Sequence, residues 1–346
     1  MKLFIFATLF GLSLAGCDYN TCQSCAGKNG GFLVGKCYWD LATGKCKSTL
    51  LPIIAQPNAI PQALSCPTPL PTFQYTDDFG RNTVFPFSMA SNADGVENVA
   101  KCPAAKLPNV QVLKQYTINC DFLGSPCSVT LFNHSDANAL VLAFRGTKGL
   151  TQLGLQAVEL FLTASKKGSL YNGKVSPYYS NAIDSFWNGE GLGNDLVNYA
   201  ANRPGLQLWV FGHSLGGSLS TLTANAAVRN GIFSKDRVRL VTMGEPRTGD
   251  YEFASEVSSN VPQAYRIVIK ADLISKLPTR LDLGATSAYH TNFEAWYNND
   301  MSGPNFVVNN RADDYSGSNT VVLPDLNSHN SYFNFDMDNY VQNFCS

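Results

Sequence analysis

Apolar positions along this chain fall into two regimes. Before about Phe73 they are sparse and broken by cysteine, glycine and proline. After it they gather into short continuous runs and one helical pattern. Residues 139–144 (ALVLAF) and 206–211 (LQLWVF) are nearly unbroken apolar stretches, and 238–243 (VRLVTM) and 265–269 (YRIVI) are rich in β-branched residues. Runs of this length without polar alternation predict strands buried on both faces, as in a parallel sheet. Between the second and third runs lies an Ala- and Leu-rich stretch over 215–230. Its Leu219, Leu222 and Ala226 recur at helical spacing, and Gly231 stops it. Strand and helix patterns in alternation predict an α/β domain over 73–346, with a mostly parallel central sheet covered on both faces.

The first 72 residues read differently. Lys2 precedes an apolar run over 3–14 that is too short to span a bilayer, and Ser13 and Ala15 place small residues where a signal peptidase inspects the chain. Residues 1–15 are therefore expected to be a secretory signal peptide, cleaved after Ala15. Leu14-Ala15-Gly16-Cys17 also fits a lipobox, but lipidation of Cys17 would leave nine cysteines, an odd number. All ten are better accommodated as five disulfides in an oxidising compartment. Six of them fall between Cys17 and Cys66, with Gly27, Gly30, Gly31, Gly35 and Gly44 interspersed. So small a segment cannot bury a core of its own and needs staples, so 16–50 is expected to form a disulfide-rich module. The pair Cys22-x-x-Cys25 lacks the second close pair that a zinc site would need. Six prolines over 51–72 predict an extended linker. In the large domain Cys120 and Cys127 flank a turn holding Gly124 and Pro126 and are expected to pair; elimination then joins Cys102 to Cys345. Asn133-His134-Ser135 is a glycosylation sequon between two strand-like runs, and an N-glycan at Asn133 is expected on an exposed hairpin tip.

Charge narrows the function classes. A net charge of −1, with no cluster of Lys and Arg, offers no field for nucleic acid. No further apolar run is long enough for a transmembrane helix, so the mature protein is expected to be extracellular and soluble.

The chemistry centres on residues 211–217 (FGHSLGG), between a predicted buried strand and a predicted helix. A serine in a tight strand-to-helix turn is held in a strained backbone, and its neighbours two residues away on each side must lack side chains. Gly212 and Gly216 satisfy that requirement around Ser214. This is the pattern of the nucleophile elbow of α/β-hydrolases, in which the amide of the following residue, Leu215, helps form an oxyanion hole. Serine needs a base, and the base an orienting carboxylate. Of the four histidines, His134 precedes the serine and His213 is locked beside it, which leaves His290 or His329 as the base.

Several motifs in order, GHSLGG, AFRGT at 143–147, TMGEPRTGD at 242–250 and RIVIKADLISKLP at 266–278, resemble the class 3 (fungal-type) triacylglycerol lipases. The resemblance runs from about Lys101 to the C-terminus. It implies an α/β-hydrolase fold and hydrolysis of lipid carboxylic esters through a Ser-His-Asp triad. It further implies Asp272 as the acid, with Asp250 and Asp282 as alternatives, and Thr147 as the second oxyanion donor. The family histidine lies in a segment like Asn327-Ser328-His329-Asn330-Ser331-Tyr332-Phe333, where Ser328 replaces the usual Asp. His290 matches a structural His–Glu–Trp feature. An apolar helix over 149–162 would be a lid or a core helix. No metal or cofactor is implied, and the expected partner is a lipid or other ester, met at a lipid–water interface. CQSCAG followed by CYWD resembles the plexin–semaphorin–integrin type of module. Two other readings share the fold: an esterase on phenolic or phospholipid esters, and a secreted binding protein without catalysis.

Overall fold

The computed structural model describes residues 16–50, 58–93, 95–146, 166–279, 288–313 and 315–343, except 121–125 and the side chains of 102–106. The chain divides into two compact units, Met1–Cys66 and Pro67–Ser346.

The small unit is held by covalent staples because, among its described residues, the buried apolar cluster is small: Cys22, Ala26, Ile60 and Cys66, with Trp39 and Leu41 packed against it. Strand β2 (Gly35–Asp40) pairs antiparallel with β1 (Asn29–Gly31), β3 (Lys45–Thr49) and β4 (Ala59–Ile60). Disulfides join Cys17 to Cys37, Cys22 to Cys66 and Cys25 to Cys46. Cys17 is thereby unavailable as a lipid acceptor, and the Cys22-x-x-Cys25 pair is divided between two bridges. The expected linker over 51–72 is corrected by β4 and by the Cys22–Cys66 bridge: the small unit does not end at residue 50 but continues to Cys66. Immediately beyond, the Thr68 amide donates to the Asn310 carbonyl of the large unit at 3.0 Å.

The large unit is built on an eight-stranded sheet in the order β12-β11-β10-β9-β8-β7-β6-β5. Its strands are β5 (Val110–Asn119), β6 (Pro126–His134), β7 (Ala139–Phe144), β8 (Gln207–His213), β9 (Val238–Met243), β10 (Ala264–Ile269), β11 (Phe293–Tyr297) and β12 (Val307–Asn309). Strands β7 to β11 are parallel, while β5, β6 and β12 run antiparallel to their neighbours. This is the mostly parallel α/β-hydrolase sheet. The apolar runs of β7 and β8 are continuous because both faces are covered. Leu140, Leu142, Phe144, Leu208 and Val210 enter a core on one side; Val141, Ala143, Trp209 and Phe211 enter another. Among the described residues no helix is long and apolar enough to cross a membrane.

Parallel strands share their polarity, so β7 to β10 end at one edge. Register brings Phe144 beside Gly212 and His213 beside Met243. Chemistry-bearing residues placed just past these ends therefore converge whatever their separation in sequence.

Candidate active site

Ser214 follows the last residue of β8 and caps the helix Leu215–Arg229. Its backbone sits at φ 57°, ψ −128°, a region a non-glycine residue occupies only under constraint. The constraint is visible in its neighbours. A Cβ on Gly212 would clash with the Gly216 carbonyl, and one on Gly216 would lie 2.5 Å from the Phe144 carbonyl and 2.8 Å from that of Arg145. The two glycines thus let the elbow close on itself and against the end of β7. The Ser214 amide donates to the Met243 carbonyl at 2.9 Å, which ties the turn to β9. The helix that starts at Leu215 leaves its first amides without intrahelical acceptors, and their positive dipole end faces the serine.

Asp272 lies in the turn after β10, and His329 in a short helical turn over Asn327–Asn330. The structure brings them together. His329 Nδ1 is 3.0 and 2.9 Å from the two Asp272 oxygens, and both residues are fully buried. Tyr332 donates its hydroxyl to Asp272 at 3.0 Å, and the Ile274 amide donates at 2.9 Å. Burial alone would raise the Asp272 carboxyl. The charge and hydrogen bond of His329 outweigh it, with His213 and Tyr332 adding to them, so the net displacement is downward and the carboxylate stays ionised. A proton on His329 Nδ1 leaves Nε2 as an acceptor. Ser214 Oγ and His329 Nε2 are both buried without a hydrogen-bond partner among the described residues. Where the usual Asp precedes the histidine, this chain has Ser328, and its hydroxyl and amide donate to Asp325, three residues earlier. The turn is held by a different carboxylate.

Several further residues support this site in ways that their motifs do not reveal. His213 donates from Nε2 to the His329 carbonyl at 3.0 Å, and the two rings lie 4.4 Å apart. Burial and the neighbouring His329 push its imidazole down to about 3, so it stays neutral. Arg247 holds the acid turn from below. Its amide donates to Leu277 at 2.8 Å, its guanidinium donates to the carbonyls of Lys276 and Pro278, and it pairs with the buried Asp313 at 2.8 Å. His290 donates from Nε2 to the Ser275 carbonyl at 2.6 Å and from its amide to Asp313. It meets no catalytic-type carboxylate and braces the turn that carries Asp272, which fits the structural alternative for this histidine. Asp250, an alternative acid, caps the helix Tyr251–Asn260 through the Phe253 amide. A signal existed for Arg247, in the TMGEPRTGD run, but nothing in the sequence shows what it grips.

Asp313→Ala should leave a buried guanidinium unpaired and cost about 3–5 kcal/mol of stability. Urea denaturation measures this, and a change under 1 kcal/mol would show that Arg247 finds other acceptors. Acid should also weaken the fold. His290 is lowered well below 6.5 by burial and by the charges of Arg266 and Arg247, and His213 is lowered by burial and His329. In the unfolded chain both take up protons near pH 6.5, which the folded protein refuses, so stability is lost as pH falls through that value. Glu245, raised by burial, acts in the opposite sense. Tm is expected to fall between pH 7 and pH 5; a Tm that holds or rises would contradict the burial of these imidazoles.

Other expected positions divide in two. Cys120 and Cys127 are disulfide-bonded. Asn133 is not at the exposed hairpin tip; it lies within β6, paired with Leu140, half-buried, and its Oδ1 accepts from Arg203 at 2.6 Å. It is a poorer glycan acceptor than the sequence implies. Thr147, the helix expected over 149–162, Asp282 and the Cys102–Cys345 bridge lie outside the described residues.

Comparison with known proteins agrees with this geometry. Residues 141–281, which hold the elbow and the acid turn, match the family model of lipase (class 3). The Caenorhabditis elegans lipase ZK262.3 is 28% identical over 266 residues, 68% of this chain and 73% of that protein. The secreted mono- and diacylglycerol lipase 3 of Gibberella zeae is 26% identical over 207 residues, 58% of this chain and 64% of that protein. The solved triacylglyceride lipase of Rhizomucor miehei superposes with a TM-score of 0.65 at 21% identity, over 79% of this chain and 98% of that one. The fold is that of these lipases, and over residues 141–281 the chain is similar to the class 3 lipases.

Proposed function

We propose that the protein is a secreted serine esterase that hydrolyses carboxylic esters of lipids through an acyl-enzyme. The observation that carries this reading is the arrangement just described: an ionised Asp272 holds the Nδ1–H of His329, and the opposite nitrogen and Ser214 Oγ are left without partners at the same strand edge. Ser214 Oγ attacks the ester carbonyl as His329 Nε2 takes its proton. The oxyanion accepts hydrogen bonds from the Leu215 amide and, on the family pattern, from Thr147. His329 then returns the proton to the departing alcohol, and water repeats the sequence in reverse order to release the acid. Asp272 is not protonated; it keeps the imidazole in the right tautomer and stabilises its cation. Lipid as substrate is supported by the family match and by the Gibberella zeae relative, a mono- and diacylglycerol lipase.

Secretion belongs to the same reading. Four disulfides among the described residues suit an oxidising compartment. The leader-like 1–15 points the same way.

Labelling with a fluorophosphonate tests the nucleophile. Wild-type protein is expected to become covalently modified and the Ser214→Ala variant not; equal labelling of both would refute the assignment, and no labelling of either would favour a binding protein without catalysis. Turnover of short dissolved esters against long emulsified ones then separates a lipase from an esterase on phenolic or phospholipid esters.

A further inference from the structure

The small unit displays an apolar surface that its own fold does not use. The turn between β1 and β2 is Phe32-Leu33-Val34, flanked by Gly30, Gly31 and Gly35, with no polar side chain over this stretch. Phe32 is 98% exposed and Leu33 73%. Leu50 is also 71% exposed, and its backbone runs close to the base of the turn, where a Cβ on Gly35 would lie 3.0 Å from the Leu50 Cα. In a unit whose buried cluster is four residues, leaving a phenylalanine and two leucines in water is a conspicuous loss of burial.

The turn is also rigidly presented. Gly31 and Gly35 have φ of +104° and +77°, conformations closed to most residues, and the Val34 amide donates to the Gly31 carbonyl at 3.1 Å. Val34 folds back over Gly30, where a Cβ would lie 2.6 Å from its Cγ1, and the Cys17–Cys37 bridge fastens the strand two residues beyond Gly35. Little ordering entropy remains to be lost when Phe32 and Leu33 are buried by something else.

Charge indicates what that something is. Residues 16–66 hold Lys28, Lys36, Lys45 and Lys47 against Asp18 and Asp40, in a chain whose net charge is −1. Lys47 pairs with Asp40. Lys28 and Lys36 flank the turn on both sides, exposed, with Lys36 opposite Asn29 at the base of the hairpin. An apolar point inside a lysine collar suits a lipid surface, where aliphatic and aromatic groups enter the acyl boundary and ammonium groups reach anionic headgroups. At a protein interface Arg is enriched and Lys depleted, and the cations around this turn are all Lys. We propose that the Phe32–Leu33 turn of the small unit inserts into an anionic lipid surface and holds the protein on it. The inference deepens the lipase reading by supplying a means of attachment outside the catalytic unit, but its geometry is independent of the triad.

Co-sedimentation of the full chain with vesicles tests it, using Ser214→Ala so that no vesicle lipid is hydrolysed. Binding is expected to vesicles of phosphatidylcholine with phosphatidylserine, and to be weaker on phosphatidylcholine alone. Phe32→Ser with Leu33→Ser should reduce the partition coefficient about a hundredfold, from the loss of two buried apolar side chains. Lys28→Gln with Lys36→Gln should lower binding only to the anionic vesicles. Both pairs are exposed, and disulfide mapping verifies that the variants fold. A turn variant that binds as tightly as its parent overturns the proposal, as does self-association through the turn without vesicle binding. In the Ser214 background the same turn substitutions should leave hydrolysis of a dissolved short ester unchanged. Tip-dependent binding without any ester turnover would refute the enzyme reading alone, and turnover without tip-dependent binding would refute this one alone.

Discussion

Replacing Ser214 by Ala is expected to lower ester turnover about 10⁴–10⁶-fold with the fold intact, because the three residues of a triad act as a unit. The substitution removes one hydroxyl that has no hydrogen-bond partner among the described residues, so no network seen there collapses with it. For the same reason His329→Ala should lose about as much, and the double variant little more than either single one. His329 differs in one respect. Its ring supports Asp272 and stacks on His213, so its removal should also lower Tm, whereas Ser214→Ala should not. Steady-state rates on a dissolved ester, with Tm for each variant, check both parts. Substantial turnover by Ser214→Ala would remove the elbow serine from the mechanism. Turnover lost in His290→Ala but retained in His329→Ala would exchange the roles assigned to the two histidines.

Asp272→Asn preserves the shape of the acid turn and removes its charge. The amide can offer an N–H to His329 Nδ1, which favours the tautomer carrying its proton on Nε2, the wrong one to accept from serine. A loss of about 10³–10⁴-fold is expected. Because Tyr332 and the Ile274 amide also aim donors at this carboxylate, the variant must leave one of them poorly matched, and a fall in stability should accompany the fall in rate. A rate effect under tenfold would mean that another carboxylate orients the base; Asp250, whose oxygen caps a helix, and Asp282 are the residues to test next.

The elbow was legible in the sequence because its chemistry is local. Two glycines at fixed offsets, a buried strand before and a helix after are one steric solution to exposing a serine on a sharp turn, and the structure shows the clashes that would follow from any Cβ there. The strands of the sheet were legible for a related reason: continuous apolar runs record burial on both faces, and β7, β8, β9 and β10 lie where those runs occur.

What the chain alone could not contain was any fact that depends on distant segments meeting. Periodicity says nothing of which carboxylate faces which histidine across 57 residues; that pairing follows from parallel strands ending at one edge. The clasp of Arg247, Asp313 and His290 on the acid turn joins three segments whose motifs gave no hint of a shared purpose. Six cysteines permit fifteen pairings, and only the packed module selects one, carrying its boundary to Cys66 through a bridge and a two-residue strand. The sequon of Asn133 marked a real turn, yet the β6 ladder extends one residue pair past it toward that turn, and Arg203, from 70 positions away, closes over it. Local sterics and burial are written residue by residue, so the sequence by itself determined the strands, the elbow and its strained serine. Charge pairing, disulfide connectivity and exposure are properties of neighbours in space, and only the tertiary structure decided them.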